Sequence, residues 1–522
     1  MKTFHYGEDY LRSSQALAIA RGELKGELSQ STIVAIHKSA AYVKTIVDKG
    51  EVVYGINTGF GPLCTTLIDA DDTRKLQENI LKSHAVGVGE PIAEELSKLM
   101  LILKVHALAK GFSGVQFSTV ERILWHIDQD VIPVVPKQGS VGASGDLAPL
   151  SHLFLPLIGL GKVHYKNEIR NTADVLAEFN LEPIELGAKE GLALINGTQF
   201  MAAHAVKAVV EMSRVLDTAD LVATLMIEGL NGSIKPFYKE LHQLRPYKGN
   251  SYVASKIYNL LAGSAILESH KNCSRVQDPY SLRCIPQVHG ASRNAWLHLK
   301  EIIETEINAV TDNPIIINDE LTISGGSFHG QPIALPMDYA TLAMSEIGNI
   351  SDRRVYLSLE GVTNGVPKLL MKVTGLNSGF MILQYTTAAL ASENKGLCFP
   401  SSADSIPTSL GQEDHVSMGS ISGRKLLQVI DNVDKILSIE LLCAAQAKDF
   451  HAPLVSTPII ENLHQHIRTR IPHLEEDQPM QNILDNALEF VKKGDLLRIA
   501  NDVATQQGVS YKEAFAEHFE NF

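Results

Sequence analysis

The loop from Gly139 to Leu147 carries residue types that could perform an unusual reaction on the chain itself. It reads Gly-Ser-Val-Gly-Ala-Ser-Gly-Asp-Leu, and its three glycines give the backbone access to positive φ and to close self-approach. The amide nitrogen of Gly145 can attack the carbonyl carbon of Ala143 and close a five-membered ring, since glycine has no Cβ to hinder the closure. Loss of two water molecules, the second from Ser144, would leave an exocyclic methylidene group. The product would be an electrophile made from the chain's own residues.

Other functions compete for the same loop. A phosphate-binding loop carries Gly-Lys-Ser/Thr, whereas Asp146 follows Gly145 here. The nucleophile elbow of a serine hydrolase requires Gly-x-Ser-x-Gly, and here the second glycine comes directly after Ser144, one position too early. A plain glycine-rich turn is the default interpretation of so short a motif. The loop alone therefore leaves the electrophile, the hydrolase and the simple turn open.

The elements that must position this loop are mostly helical, because hydrophobic residues recur at helical spacing over much of the chain. The clearest predicted helices cover residues 94–110, 201–230, 296–310 and 424–450. Strand patterns are few, and the best is a short hairpin formed by 315–317 and 321–323. Glycine, proline and polar residues interrupt the helical pattern in four segments: 53–62, 133–149, 325–332 and 400–418. Long irregular connections are usually functional, so we expect these four segments to converge at a site.

Composition excludes several classes of protein. The 522 residues carry a formal net charge of -13, which does not fit a nucleic-acid-binding surface. The five cysteines are scattered, with no Cys-x-x-Cys pair, which argues against a disulfide framework and a zinc knuckle. There is no His-Glu-x-x-His motif, no apolar leader and no apolar run long enough to cross a bilayer. We therefore expect a cytoplasmic protein that binds no metal, nucleic acid or membrane.

Five longer motifs favour the electrophile over the hydrolase and the simple turn. They cover residues 53–61, 142–152, 191–199, 277–284 and 324–330. Together and in this order they closely resemble the motifs of the aromatic amino acid ammonia-lyases. That family carries a 4-methylidene-imidazol-5-one (MIO) group made from the tripeptide that matches Ala143-Ser144-Gly145. The resemblance implies an ammonia-lyase that needs no external cofactor.

The resemblance also implies a fold and an assembly. The expected fold is mainly α, a long-helix bundle of the fumarase–aspartase type with a smaller N-terminal region that carries the catalytic loops. We place that region, with the tyrosine and MIO loops, at residues 1–200 and the central and C-terminal bundle at 201–522. Family members are typically homotetramers with shared active sites, so the same assembly is expected here.

Matching positions supply candidate site residues. Tyr54 is the candidate base for the β-proton, and Arg283 would hold the substrate carboxylate through its planar guanidinium. Tyr280 precedes Arg283 by three residues, so the two would share a face if the segment is helical. Asn196 and Gln277 match the family's amide positions near the electrophile and the substrate, and Phe328 is expected to pack near the electrophile. Ordinary packing or hydrogen bonding is the competing interpretation for each of them.

Two positions indicate the substrate. The segments around His84 and Glu413 resemble those of family members that act on histidine. A carboxylate at position 413 can accept a charge-assisted hydrogen bond from an imidazole N–H. The expected reaction is removal of ammonia from L-histidine to give urocanate. A tyrosine or phenylalanine ammonia-lyase or an aminomutase with the same electrophile is the alternative, and an inactive scaffold is a further one.

Several positions depart from the family pattern and bear on the substrate assignment. The departures are Leu410-Gly411, Ser327, the segment from His329 to Gln331, Lys104 and His106. Many relatives carry Arg and Asn where Lys104 and His106 stand. These differences leave the expected fold and electrophile unchanged.

Overall fold

The computed structural model describes residues 3–50, 52–59, 61, 68, 70–271 and 275–522. Phe60 and Pro62 of the predicted irregular segment 53–62, and Cys64 and Cys273, lie outside the described residues. The described chain is mainly helical, as predicted. None of its helices is both long enough and apolar enough to cross a membrane.

The chain divides into two compact units, each built from three separate segments. Unit 1 comprises Met1–Ala208, Leu299–Asp338 and Pro400–Arg424. Unit 2 comprises Val209–His298, Tyr339–Phe399 and Lys425–Phe522. The division proposed from sequence, at residues 200 and 201, stays a prediction.

Unit 1 contains eight described helices and nine short strands. The helices are α1 (Ser13–Ala20), α2 (Gln30–Asp48), α3 (Ala70–His84), α4 (Glu94–Ala109), α5 (Phe117–Asp128), α6 (Leu147–Phe154), α7 (Thr172–Glu178) and α8 (Glu190–Ile195). The strands are β1 (Thr3–His5), β2 (Lys25–Glu27), β3 (Val88–Pro91), β4 (Ile132–Pro133), β5 (Pro136–Gln138), β6 (Lys162–Tyr165), β7 (Glu168–Asn171), β8 (Ile315–Ile316) and β9 (Thr322–Ile323). The strands pair in parallel as β1–β2 and antiparallel as β3–β5, β4–β6–β7 and β8–β9.

Helices α3, α6 and α8 pack against one another, and a residue of the candidate site lies at one end of each. His84 is the last residue of α3, Asp146 directly precedes α6, and Asn196 directly follows α8. A Cβ at Gly191 would lie 2.4 Å from the Gln77 carbonyl oxygen, so only glycine lets α8 approach α3 this closely.

Four of the remaining helices are long and contain a boundary between the units. Those four are α9 (Gln199–Gly229), α14 (Ile285–Glu306), α15 (Gln331–Leu359) and α17 (Gly419–Asp449). Unit 2 also holds α10 (Lys239–Gln243), α11 (Lys248–Leu261), α12 (Ala265–Ser269), α13 (Tyr280–Arg283), α16 (Met381–Leu397), α18 (Pro458–Arg470), α19 (Gln481–Lys492), α20 (Asp495–Gln507) and α21 (Ala516–Phe519). Short 3-10 turns cover Leu155–Ile158, Lys235–Phe237, Lys368–Leu370 and Ser409–Gly411.

The helices predicted from periodicity are present, with shifted ends. The helix expected at 296–310 begins earlier, at Ile285, and ends at Glu306. The hairpin predicted at 315–323 is the pair β8–β9. These elements could be predicted because each has a long apolar face or a clear turn of its own.

Unit 2 buries charge as well as apolar surface in its helical core. Arg293 donates to Asp217 at 2.6 Å, and Lys256 pairs with the same carboxylate at 2.7 Å. Arg354 donates from Nη2 to Glu440 Oε2 at 3.0 Å, and both side chains are fully buried. Buried charges persist only when they are paired, so these contacts fix how the helices of unit 2 pack.

Candidate active site

The Ala143-Ser144-Gly145 loop is held by close backbone contact with Gly197. Gly145 has φ +76°, and a Cβ placed on it would lie 2.0 Å from the Gly197 carbonyl oxygen. Gly145 and Gly197 form an isolated parallel bridge, and the Asp146 N–H donates to the Gly197 oxygen at 2.8 Å. Position 145 therefore accepts only glycine, whose bare amide is also what the ring closure considered above requires.

Asp146 fixes the start of α6 behind this loop. Its carboxylate is fully buried and accepts hydrogen bonds from the Ser140 hydroxyl at 2.8 Å and the Met201 N–H at 3.0 Å. Burial raises the pKa of Asp146 to about 7, and these two donors act in the opposite direction. Asp146 therefore ties the loop to the first turn of α9.

Ser144 faces Glu413 on the far side of the loop. The Ser144 hydroxyl donates to Glu413 Oε1 at 2.8 Å, and the Thr408 hydroxyl donates to Oε2 at 3.0 Å. The Thr408 N–H also donates to the Glu413 carbonyl oxygen at 2.9 Å. Both carboxylate oxygens are thus oriented, one of them directly at the predicted electrophile.

A cavity of about 600 Å³ opens over Ser144 in unit 1. Its lining consists of Tyr54, Gly59, Gly61, Ile68, Leu76, Asn79, Ile80, Ser83, His84, Ser144, Leu147, Leu192, Ile195, Asn196, Ser409 and Glu413. The volume is that of a small-molecule site, and the lining combines apolar walls with a few polar groups. The structure therefore brings five predicted site residues together: Tyr54, His84, Ser144, Asn196 and Glu413.

The side chains around this cavity are individually positioned. The Gly61 N–H donates to the Tyr54 hydroxyl oxygen at 3.3 Å. Nδ1 of His84 is hydrogen-bonded to the Ser83 hydroxyl at 2.9 Å. Burial lowers the pKa of His84 below its ordinary value, although the charge of Glu413 acts in the opposite direction. His84 is accordingly a neutral imidazole at neutral pH.

Asn196 is held from both sides. Its Nδ2 donates to the Leu192 carbonyl oxygen at 3.1 Å, within the last turn of α8. Its own carbonyl oxygen accepts from the Nζ of Lys104 at 2.5 Å. The position of Asn196 beside Ser144 is therefore set by α8 and by a buried ammonium group on α4.

The 325–332 segment contacts the 400–418 segment, as the predicted convergence requires. The His329 and His415 rings stack with centroids 5.6 Å apart, and His329 Nε2 lies 3.2 Å from the His415 carbonyl oxygen. Phe328 is half-buried in the turn before α15 and is not among the described residues that line the cavity. Its predicted place beside the electrophile stays a prediction.

Gln277, Tyr280 and Arg283 belong to unit 2, and the described lining of the cavity does not include them. Tyr280 and Arg283 do share a helical turn, α13, and the guanidinium lies 4.5 Å from the Tyr280 ring centroid. Tyr280 is 70% exposed, while the buried Nε of Arg283 has no hydrogen-bond partner among the described residues.

Two contributors to the site were not predicted from sequence. Thr408 orients Glu413, and Asn79 lines the cavity from α3. Thr408 lies in a predicted irregular segment, but nothing in its neighbours indicates a contact with Glu413. Asn79 lies on a helix whose cavity face cannot be distinguished from its solvent face by polarity.

The fold and the cavity define a mainly helical enzyme whose glycine-rich loop faces a carboxylate, a phenol and an imidazole. Residues 11–469 match the aromatic amino acid lyase family, and the chain belongs to that family. It is 43% identical over 473 residues to a histidine ammonia-lyase of Natranaerobius thermophilus, covering 90% of this chain and 93% of the relative.

Solved structures agree with this membership. The crystal structure of histidine ammonia-lyase from Trypanosoma cruzi matches with a TM-score of 0.90 at 38% identity, covering 99% of this chain and 98% of that one. Tyrosine aminomutase from Streptomyces globisporus matches with a TM-score of 0.91 at 32% identity, covering 96% and 99%. The predicted fold class and the assignment to the lyases are therefore confirmed.

Proposed function

We propose that this protein is an ammonia-lyase that converts L-histidine to urocanate and ammonia. The observation that carries the proposal is the hydrogen bond between Ser144 and Glu413 in a cavity that His84 also lines. A partly buried carboxylate there suits an imidazole N–H, whereas a phenyl ring would leave the charge without a partner. The names of the relatives support the same substrate.

The residues around Ser144 fit the MIO group that the family resemblance implies. Gly145 supplies an unhindered amide, its positive φ is held by Gly197, and the small Ala143 is buried. Once formed, the group would supply an electrophilic carbon that binds the substrate amine and makes it a better leaving group. Tyr54 is proposed to take the β-proton, and Asn196 to hold the loop.

The remaining predicted residues would bind the substrate. Glu413 and His84 would hold the imidazole, and Arg283, with Tyr280 and Gln277, would supply a cation for the carboxylate. Phe328 is proposed to pack near the electrophile. Removal of the β-proton by Tyr54 and departure of the amine then form the double bond of urocanate.

We also propose a homotetramer with shared active sites. Arg283 makes no ion pair among the described residues, and Tyr280 beside it is exposed. Tyr339, Leu342 and Tyr356 are each 49% exposed on α15, so a helix face in unit 2 is apolar and open. Size-exclusion chromatography with light scattering tests this assembly, and a monomer with full activity would contradict it.

The proposal places the enzyme in the cytoplasm and without nucleic-acid or membrane partners. It rests on the net charge of -13 and on the five scattered cysteines, which include no Cys-x-x-Cys pair. A strongly acidic protein of this kind is suited to small-molecule chemistry rather than to phosphate-rich partners.

Ultraviolet detection of product from L-histidine, L-tyrosine and L-phenylalanine in separate assays tests the substrate. Elimination conjugates the new double bond with the ring, so each product absorbs where its substrate does not. Absorbance with histidine alone supports the proposal. Absorbance with tyrosine or phenylalanine instead would favour the alternative lyases. No absorbance from folded protein would favour an aminomutase, for which the similarity to tyrosine aminomutase is the supporting observation, or an inactive scaffold.

A further inference from the structure

Lys104 is a buried cation that has no carboxylate partner among the described residues. It lies on α4 and is 2% exposed, and its Nζ donates to the Asn196 carbonyl oxygen at 2.5 Å. Among the described residues it forms no ion pair within 4.0 Å. A buried ammonium group is costly unless it is well paired, so its placement against a backbone carbonyl of the proposed site requires a physical explanation.

The peptide that Lys104 contacts has a second contact on its other side. The Asn196 carbonyl and the Gly197 N–H belong to the same peptide group, and this N–H donates to the Ser144 carbonyl oxygen at 3.5 Å. A charge on the carbonyl side polarises the peptide and strengthens its N–H as a donor. The ammonium group therefore acts, through one peptide, on the carbonyl that would be conjugated with the electrophilic carbon.

We infer that Lys104 is a positioning residue of the proposed active site, holding the Asn196–Gly197 peptide so that its N–H faces the Ser144 carbonyl oxygen. The inference rests on the proposed function and deepens it. Lys104 is not among the described residues that line the cavity. Lys104 therefore affects how readily the loop around Ser144 forms its electrophile and how reactive that electrophile is, rather than how tightly the substrate binds.

Two charged groups face Lys104 from the elements packed around it. Asp312 favours its charged form and Lys189 disfavours it, and these two pair with each other at 2.5 Å. Burial lowers the pKa of Lys104 to about 7. The positive charge is thus present below neutrality and is lost as the pH rises through about 7, so its contribution to the rate should fall in the same direction. An arginine at this position stays charged throughout.

The test compares Lys104→Met, Lys104→Arg and the control Lys98→Met. Lys98 is a largely buried lysine of the same helix whose ammonium group pairs with Asp130 instead. Intact mass reports whether the chain is two waters lighter, and kcat, KM and the pH profile are measured with L-histidine. Lys104→Met should lower kcat by about 10- to 100-fold, the loss expected for one charge-assisted hydrogen bond, with little change in KM.

Lys104→Arg should restore kcat and remove the fall in rate above neutral pH, while Lys98→Met should behave like the unaltered chain. The inference is overturned if Lys104→Met keeps full kcat and full dehydration, or if Lys104→Arg shows the same pH step as the unaltered chain. If Lys104→Met does not fold, the pH profile of Lys104→Arg decides alone. If the unaltered chain acts on no amino acid, the proposed function is wrong, but the inference about Lys104 can still be tested by mass. Incomplete dehydration of Lys104→Met, together with complete dehydration of Lys98→Met, would then support the inference.

Discussion

The Ser144 hydroxyl donates a 2.8 Å hydrogen bond to Glu413, although 269 residues separate the two in sequence. Before ring formation, the carboxylate therefore has the hydroxyl as its partner. In the proposed enzyme that hydroxyl leaves as water, and the freed Glu413 oxygen can accept the substrate imidazole N–H. The same carboxylate would then serve two successive partners, with Thr408 holding its second oxygen throughout.

Glu413→Gln should lower kcat/KM for L-histidine by about 10- to 100-fold, because the amide removes the charge that strengthens the hydrogen bond to the imidazole. Steady-state kinetics with histidine measure the effect, and intact mass reports whether Ser144 is still dehydrated. Asp414→Asn is the matched control, since Asp414 is an exposed neighbouring carboxylate. Equal losses in both variants would contradict the proposed contact with the imidazole.

Tyr54→Phe should reduce kcat by about 100- to 10,000-fold, the range associated with removal of a general base, and leave dehydration of Ser144 complete. Single-turnover product absorbance and intact mass separate the two effects. Tyr42→Phe removes the hydroxyl of a partly buried tyrosine that packs against the core cluster containing Ile56 of the same loop but does not line the described cavity, so its activity should be unchanged. A Tyr54→Phe variant with normal turnover would exclude the phenol as the base.

Gly145→Ala should prevent formation of the electrophile, because its Cβ would lie 2.0 Å from the Gly197 carbonyl oxygen. Intact mass should then equal that of the uncyclised chain, and activity should be absent. Gly22→Ala is the control, since Gly22 has a similar φ of +73° but no atom within 4 Å of the added Cβ. A dehydrated, active Gly145→Ala variant would contradict the role given to the glycine.

Arg354→Met should destabilise the protein by about 3–5 kcal/mol, because it leaves Glu440 buried without its cationic partner. Thermal unfolding at one fixed protein concentration measures the loss, since assembly makes the midpoint depend on concentration. Arg498 is the control because its side chain is 64% exposed and faces Asp502, which is 61% exposed, so Arg498→Met should leave the midpoint nearly unchanged. Similar midpoints for the two variants would show that the buried pair contributes little.

Sequence patterns within a single segment predicted the long helices and the glycine-rich loop. The long helices have their own apolar periodicity, and the loop around Ser144 has its own glycines. Tyr54 and Glu413 were identified through motifs, and the structure places both in one cavity with Ser144. The identity of these residues was therefore available from the sequence before any distance was known.

Contacts between distant segments could not be predicted in the same way. Lys104 stood out only as a departure from the family, and its partner Asn196 lies 92 residues away. Thr408 lies in an irregular segment, where hydrogen bonds follow the tertiary path of the chain rather than a repeating pattern. The buried pair of Arg354 and Glu440 lies on two long helices whose apolar periodicity does not indicate which of their polar positions are buried and paired.

The assembly of unit 1 from three distant segments has a consequence for biosynthesis. Ser144 is made long before Glu413, since extending the chain by the 269 positions from one to the other takes roughly 13 to 54 s at common elongation rates. Until then the glycine-rich loop has no carboxylate opposite it, and the cavity wall from residues 400 to 424 does not exist. The cavity around Ser144 is therefore completed only after residues 400–424 have been made, and a partly synthesised chain carries the glycine-rich loop without Glu413 opposite it.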